Sequence, residues 1–185
     1  MAPAKIMIIR HAEKPKNTDD RGIRASGKDD PHALTARGWQ RAGALARFFH
    51  PPNETFAHPA LARPDHIFGA RFDKKSKAPT RRPVQTVKPL ALLLGAPIDK
   101  RFTKGDERKL VEAVMETSGV VLVAWAHEDI FAIVKALPNA PPIPKTWPDD
   151  RFDIVWIFDQ KPGGGWTFSQ APQSLLAGDR PQTIA

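Results

Sequence analysis

Ile6-Met7-Ile8-Ile9-Arg10-His11-Ala12-Glu13-Lys14-Pro15 is the stretch whose reading decides the fold. Its first four residues are apolar and suit a strand buried on both faces. Lys14-Pro15 marks the end of that strand, because proline has no N–H to give a central ladder. Arg10 and His11 therefore stand where a buried strand opens into a loop. In an α/β sheet that position is the usual one for a ligand.

Working outward, residues 16–31 are polar, rich in Asp, Gly and Lys, and without apolar periodicity. They read as a long loop beside the strand end, either a functional cover or a surface excursion. From Leu34 to Phe49 the period changes to that of a helix. Trp39, Ala42, Leu45, Ala46 and Phe49 form one stripe, and Gln40, Arg41 and Arg47 fall away from it. Thr35 is placed as the N-cap, and His50-Pro51-Pro52 ends the helix. Asp65 to Ala70 reads as a short buried strand that leads into a basic loop. A second helix starts at Arg82-Pro83 and closes at Gly95, with Pro89 as a kink. Ala96-Pro97-Ile98-Asp99 reads as a short strand, and residues 106–116 as an amphipathic helix. Gly119 to Ala126 is the strongest strand in the chain and runs into His127-Glu128-Asp129 at the head of another helix. Phe152 to Phe158 and Trp166 to Gln170 pair as a hairpin around Gly163 to Gly165. The last fifteen residues carry little pattern.

Strands alternating with helices predict an α/β three-layer sandwich, a mostly parallel central sheet flanked by helices, with a C-terminal antiparallel hairpin. The length, 185 residues, fits one domain spanning residues 1–185. With no cysteine, disulfides and thiolate metal sites are excluded. His32, His50, His58 and His66 are scattered without ligand spacing, so no metal is expected. No apolar run approaches a membrane span. The first strand begins near Lys5 and leaves no room for a cleavable leader, so a cytoplasmic protein is expected. A formal charge of +8 points to anionic partners.

Two predicted strands end in histidine, at Arg10-His11 and at Ala126-His127, and Arg82 stands at a helix N-terminus. Parallel strands present their C-terminal ends along one edge, so these residues can converge. Arginine forks match phosphate oxygens bidentately and stay charged at neutral pH. They also depress a neighbouring imidazole, which keeps it neutral and able to attack phosphorus. A second histidine can hold charge developing on the phosphoryl oxygens.

These residues carry a family resemblance. Ile8-Ile9-Arg10-His11-Ala12-Glu13-Lys14-Pro15 resembles the signature of the histidine phosphatase superfamily, the phosphoglycerate-mutase-like proteins. Three further stretches follow in the family's order: Leu34-Thr35-Ala36-Arg37-Gly38 with Arg41-Ala42, Arg82-Pro83-Val84-Gln85-Thr86, and the strand ending at His127. The resemblance spans residues 5–137. It implies His11 as the phosphorylated nucleophile, with Arg10, Arg82 and His127 completing the phosphate pocket and no cofactor required. The chain departs from the family in its long basic segment before Arg82, where Ser76 stands six residues upstream. Spacing to Gln85-Thr86 favours Arg82 over Arg81 as the inward residue. The proton donor is open among Glu128, Asp129, Asp106 and Glu107, and adjacency to His127 favours Glu128. Glu13 either orients an arginine or is solvated.

The expected function is phosphoric monoester hydrolysis through a phosphohistidine on His11. The partner is a small phosphorylated substrate or a phosphoprotein, not nucleic acid and not a membrane. The competing reading is a member of the same family that grips phosphorylated ligands without turning them over. A nucleic-acid binder comes third: it has the net charge but no recognisable motif. The basic loop at residues 71–81 reads first as a solvated face, and second as a substrate rim.

Overall fold

A computed structural model describes residues 2–17, 20–76 and 78–185; Lys77 of the basic loop lies outside them. The elements run β1 (Lys5–Arg10), α1 (Ala36–Phe49), β2 (His66–Gly69), α2 (Arg82–Leu94), β3 (Ile98–Asp99), α3 (Glu107–Met115), β4 (Val120–Trp125), α4 (His127–Ala136), β5 (Ile154–Gln160) and β6 (Trp166–Pro172). They form one six-stranded sheet in the order β3-β2-β4-β1-β5-β6. The neighbours from β3 to β1 pair in parallel, while β5 runs antiparallel to both β1 and β6. The expected sandwich with its terminal hairpin is the fold observed.

Period-two alternation sorts each central strand between two cores. Ile6 and Ile8 of β1, with Val121, Val123 and Trp125 of β4, face α3 and α4. Met7 and Ile9, with Leu122 and Ala124, face α1 and α2. Because both faces are covered, these strands are apolar along their length, which is what their sequences show. The first core also takes Trp147, Trp156 and Trp166. Among the described residues no helix is long and apolar enough to cross a membrane.

The helices start and stop where their sequences dictate. Thr35 caps α1, its hydroxyl accepting from Gly38 N at 3.1 Å. Pro83 occupies the first turn of α2, and Gly95 closes it in the left-handed region at φ 62°. The backbone stays helical through Pro89. Gly38 is required for a close approach: a Cβ there would come within 2.6 Å of Glu13 O. That contact lets the start of α1 sit directly on the loop leaving β1.

Arg41 departs from the helical stripe read in the sequence. It lies on α1 yet is only 2% exposed. Its guanidinium donates to Glu13 Oε1 at 2.8 Å, to Asp179 Oδ1 at 2.7 Å and to Gln173 Oε1 at 3.0 Å. A buried arginine is sustained only by such a set of acceptors. Glu13 is therefore buried, and its carboxylate accepts from Arg41 rather than from Arg10 or Arg82. It anchors Arg41, and through Arg41 the C-terminal segment.

Candidate active site

β1 and β4 are parallel neighbours with Arg10 opposite Trp125. The residues just beyond each strand, His11 and His127, consequently emerge on the same edge of the sheet. His11 N donates to Trp125 O at 2.9 Å, which continues the ladder one step past the strand.

The His11 ring is 3% exposed, and its Nδ1 lies 2.7 Å from Ala12 O. A carbonyl only accepts, so Nδ1 carries the proton and Nε2 keeps its lone pair. Burial pushes the imidazolium down to about 3; Arg10 and Arg82 add to that, while the Ala12 carbonyl and Glu128 oppose it. The ring is therefore neutral across the ordinary pH range, with a free nucleophilic nitrogen.

Arg10 is 1% exposed, and its guanidinium lies 3.9 Å from the centroid of the Phe152 ring. Its Nη1 donates to the carbonyls of Pro148, Asp149 and Arg151 at 3.2, 2.8 and 3.2 Å. Its Nε and Nη2 are buried with no hydrogen-bond partner. Burial lowers this guanidinium to about 10, partly offset by Asp149 and Glu128, so it remains cationic at neutral pH. Two unsatisfied buried donors on a cation form an acceptor site for an anion.

The segment Arg82-Pro83-Val84-Gln85-Thr86 shows why its polar residues belong together. Arg82 donates from Nε to Ala33 O at 3.2 Å and from Nη2 to Pro31 O at 2.7 Å. Thr86 Oγ1 donates to Arg82 O at 2.8 Å and accepts from Ala12 N at 2.8 Å. Gln85 Oε1 accepts from Leu34 N at 2.9 Å. One turn of α2 thus pins both the loop after β1 and the loop before α1. Arg82 exerts its charge on His11. Arg81 instead donates to Asp30 Oδ2 at 2.9 Å and lies over Phe72.

His127 heads α4. Its Nε2 lies 2.7 Å from Asp149 Oδ1; its Nδ1 is 2.8 Å from Glu128 Oε2, poorly aligned for a hydrogen bond. Lys104 Nζ pairs with Glu128 Oε1 at 2.6 Å and Asp129 Oδ2 at 3.2 Å. His127 first and Lys104 second hold the Glu128 carboxyl well below the usual carboxylate range, against the opposing effect of burial. Burial pushes the Asp129 carboxyl up, against Lys104. The other two acid candidates serve α3. Glu107 Oε1 accepts from Trp125 Nε1 and Gly105 N, both at 2.9 Å. Asp106 Oδ2 accepts from Thr103 N at 3.2 Å, and its Oδ1 from Lys109 Nζ at 3.2 Å.

His11 is within electrostatic reach of Arg10, Arg82 and Glu128, and Glu128 touches His127, so the structure gathers the five residues singled out in the sequence. Phe152, Asp149 and Lys104 also belong to the site and were missed. Phe152 and Asp149 lie on the stretch around the start of β5, which has no local signal beyond its prolines. A cavity of about 750 Å³ meets this region only at Phe152 and Glu13: Asp150, Asp153 and Asp179 also line it, and none of the five residues does.

No family model matches the sequence, and no curated protein matches it. Among solved structures, a mycobacterial glucosyl-3-phosphoglycerate phosphatase aligns over 90% of this chain and 97% of its own, at 14% identity and a TM-score of 0.49.

Proposed function

We propose that the chain hydrolyses phosphate monoesters through a phosphohistidine on His11. The observation that carries this reading is the pairing of a neutral His11, its Nε2 lone pair free, with Arg10, whose Nε and Nη2 lack acceptors. A phosphoryl group offers the acceptors those donors need and the electrophile the imidazole needs.

In the first step the Nε2 lone pair forms an N–P bond as the bond from phosphorus to the ester oxygen breaks. Arg10, Arg82 and His127 hold the charge on the non-bridging oxygens. Glu128 gives its proton to the departing oxygen. Its carboxyl starts low because His127 and Lys104 favour the ionised form. A phosphate dianion beside it repels the carboxylate and draws His127 away, and both effects raise it toward protonation. In the second step water attacks phosphorus, the N–P bond breaks, and the water's proton passes to Glu128. Inorganic phosphate and neutral His11 result.

A second reading, a phosphate binder without turnover, draws on the same ion pairs: an acid held ionised by Lys104 and His127 protonates nothing. A screen of phosphate esters separates the two, with His11→Ala as control. Hydrolysis by the wild type that disappears in the control supports the enzyme. Stabilisation by phosphate compounds without hydrolysis of any ester supports the binder.

A further inference from the structure

Arg81 and Arg82 are consecutive, yet they serve different places. Arg82 exerts its charge on His11, whereas Arg81 lies 3.7 Å from the centroid of Phe72, at a separate cavity of about 400 Å³. This cavity has a composition of its own. Trp39 and Phe72 line it, and so do Arg71, Lys88 and Lys100. Among the described residues no carboxylate lines it, and no salt bridge engages Arg71, Lys88 or Lys100. Three exposed cations outside any salt bridge, of which Arg71 also acts on Asp106, stand around two aromatic rings and make a site for a flat anion.

The polar fittings agree. Gln85 on the same wall spends its Oε1 on Leu34 N, which leaves its NH₂ as a donor. Arg81, held in place by Asp30, stacks its planar guanidinium on one face of Phe72 and offers a base a flat surface that carries no unpaired charge. The volume falls in the range of small-molecule sites, roughly 300–1,000 Å³. A simple phosphate leaves the rings uncovered, and an uncharged aromatic leaves the cations unmatched.

We propose that this cavity binds a nucleotide, with its base against Trp39 and Phe72 and its phosphates against Arg71, Lys88 and Lys100. The site is distinct from the phosphate clamp at His11 and stands whether or not that clamp turns substrate over.

The test is calorimetric titration of the Arg10→Ala, His11→Ala chain, whose phosphate clamp is disabled, with ADP, with adenosine and inorganic phosphate as half-ligands. ADP saturates one site, and each half-ligand binds at least about tenfold more weakly. In that chain Lys88→Glu with Lys100→Glu weakens ADP at least about tenfold and Phe72→Leu about fivefold. Lys88 and Lys100 are exposed, so the double variant retains the fold, which its melting curve checks. Three results would each overturn the proposal: no saturable binding, inorganic phosphate binding as tightly as ADP, or ADP binding undiminished by Lys88→Glu with Lys100→Glu. Because the readout is binding, it fails or succeeds independently of hydrolysis.

Discussion

Replacing Arg41 by Met keeps the buried stem and removes the charge that three elements share. Arg41 bonds Glu13 on the loop after β1 and Gln173 and Asp179 in the C-terminal segment. Its loss strands two carboxylates whose side chains are 9% and 4% exposed. Breaking a buried pair costs about 3–5 kcal/mol. Some compensation survives here. Arg37 stays 3.4 Å from Glu13 and 4.0 Å from Asp179, and the amides of Leu175 and Leu176 still donate to Asp179. The lower end, about 3 kcal/mol, therefore applies, and at about 2–4 °C per kcal/mol the melting temperature falls by about 6–12 °C.

The deficit also has a pH signature. Burial alone would raise the Asp179 carboxyl, but Arg41 and the backbone amides outweigh it and hold it below its ordinary value. A carboxylate with a depressed native pKa contributes stability above its unfolded pKa and loses it as pH falls through the native one. In the Arg41→Met chain that contribution is gone, and the stranded carboxylates relieve themselves by protonating. Thermal melts should thus show the gap to wild type widest near pH 7 and narrowing toward pH 4. A drop of less than about 2 °C at pH 7, or a gap that does not change with pH, refutes the claim that this network is buried and ionised.

Other perturbations probe the site. His11, depressed to about 3 by burial, binds fewer protons folded than unfolded, so it costs stability as pH falls below its ordinary value. Between pH 8 and pH 5 denaturant titrations should show His11→Gln gaining about 2 kcal/mol relative to wild type; equal curves would contradict the buried neutral ring. Thr86→Val removes the hydroxyl that joins Ala12 N to Arg82 O, so kcat on an aryl phosphate should fall about 10–100-fold with KM little changed. Lys104→Met releases one of the groups that hold Glu128 ionised. If Glu128 is the acid, the alkaline limb of the pH–rate profile moves to higher pH, and an unmoved limb assigns the proton elsewhere.

The sheet and its layers were legible because burial on both faces writes itself into β1 and β4 as unbroken apolar runs, and because the helices carry their own caps and stripes. The spacing to Gln85-Thr86 favours Arg82 over Arg81 as the inward residue; in the structure Arg82 exerts its charge on His11, while Arg81 pairs with Asp30. Arg41 was misassigned because a helical stripe places charges outward. Besides Glu13, 28 residues away, its partners stand 132 and 138 residues away in a segment without periodicity, so no local pattern could reveal them. Asp149 was invisible for a related reason. It is 88% exposed in its side chain and reaches the site from a proline-rich loop, giving a backbone carbonyl to Arg10 and a carboxylate to His127. Backbone carbonyls have no sequence signature at all.

The central claim is that His11 carries the phosphoryl group. Rapid mixing with an excess of an aryl phosphate, alkaline quenching and mass analysis of the digest tests it most directly. The account predicts a peptide containing His11 heavier by one phosphoryl group, stable in base, labile in acid, and absent from the His11→Ala chain. Turnover with no phosphorylated His11 peptide, or with the phosphoryl group on another residue, would contradict it.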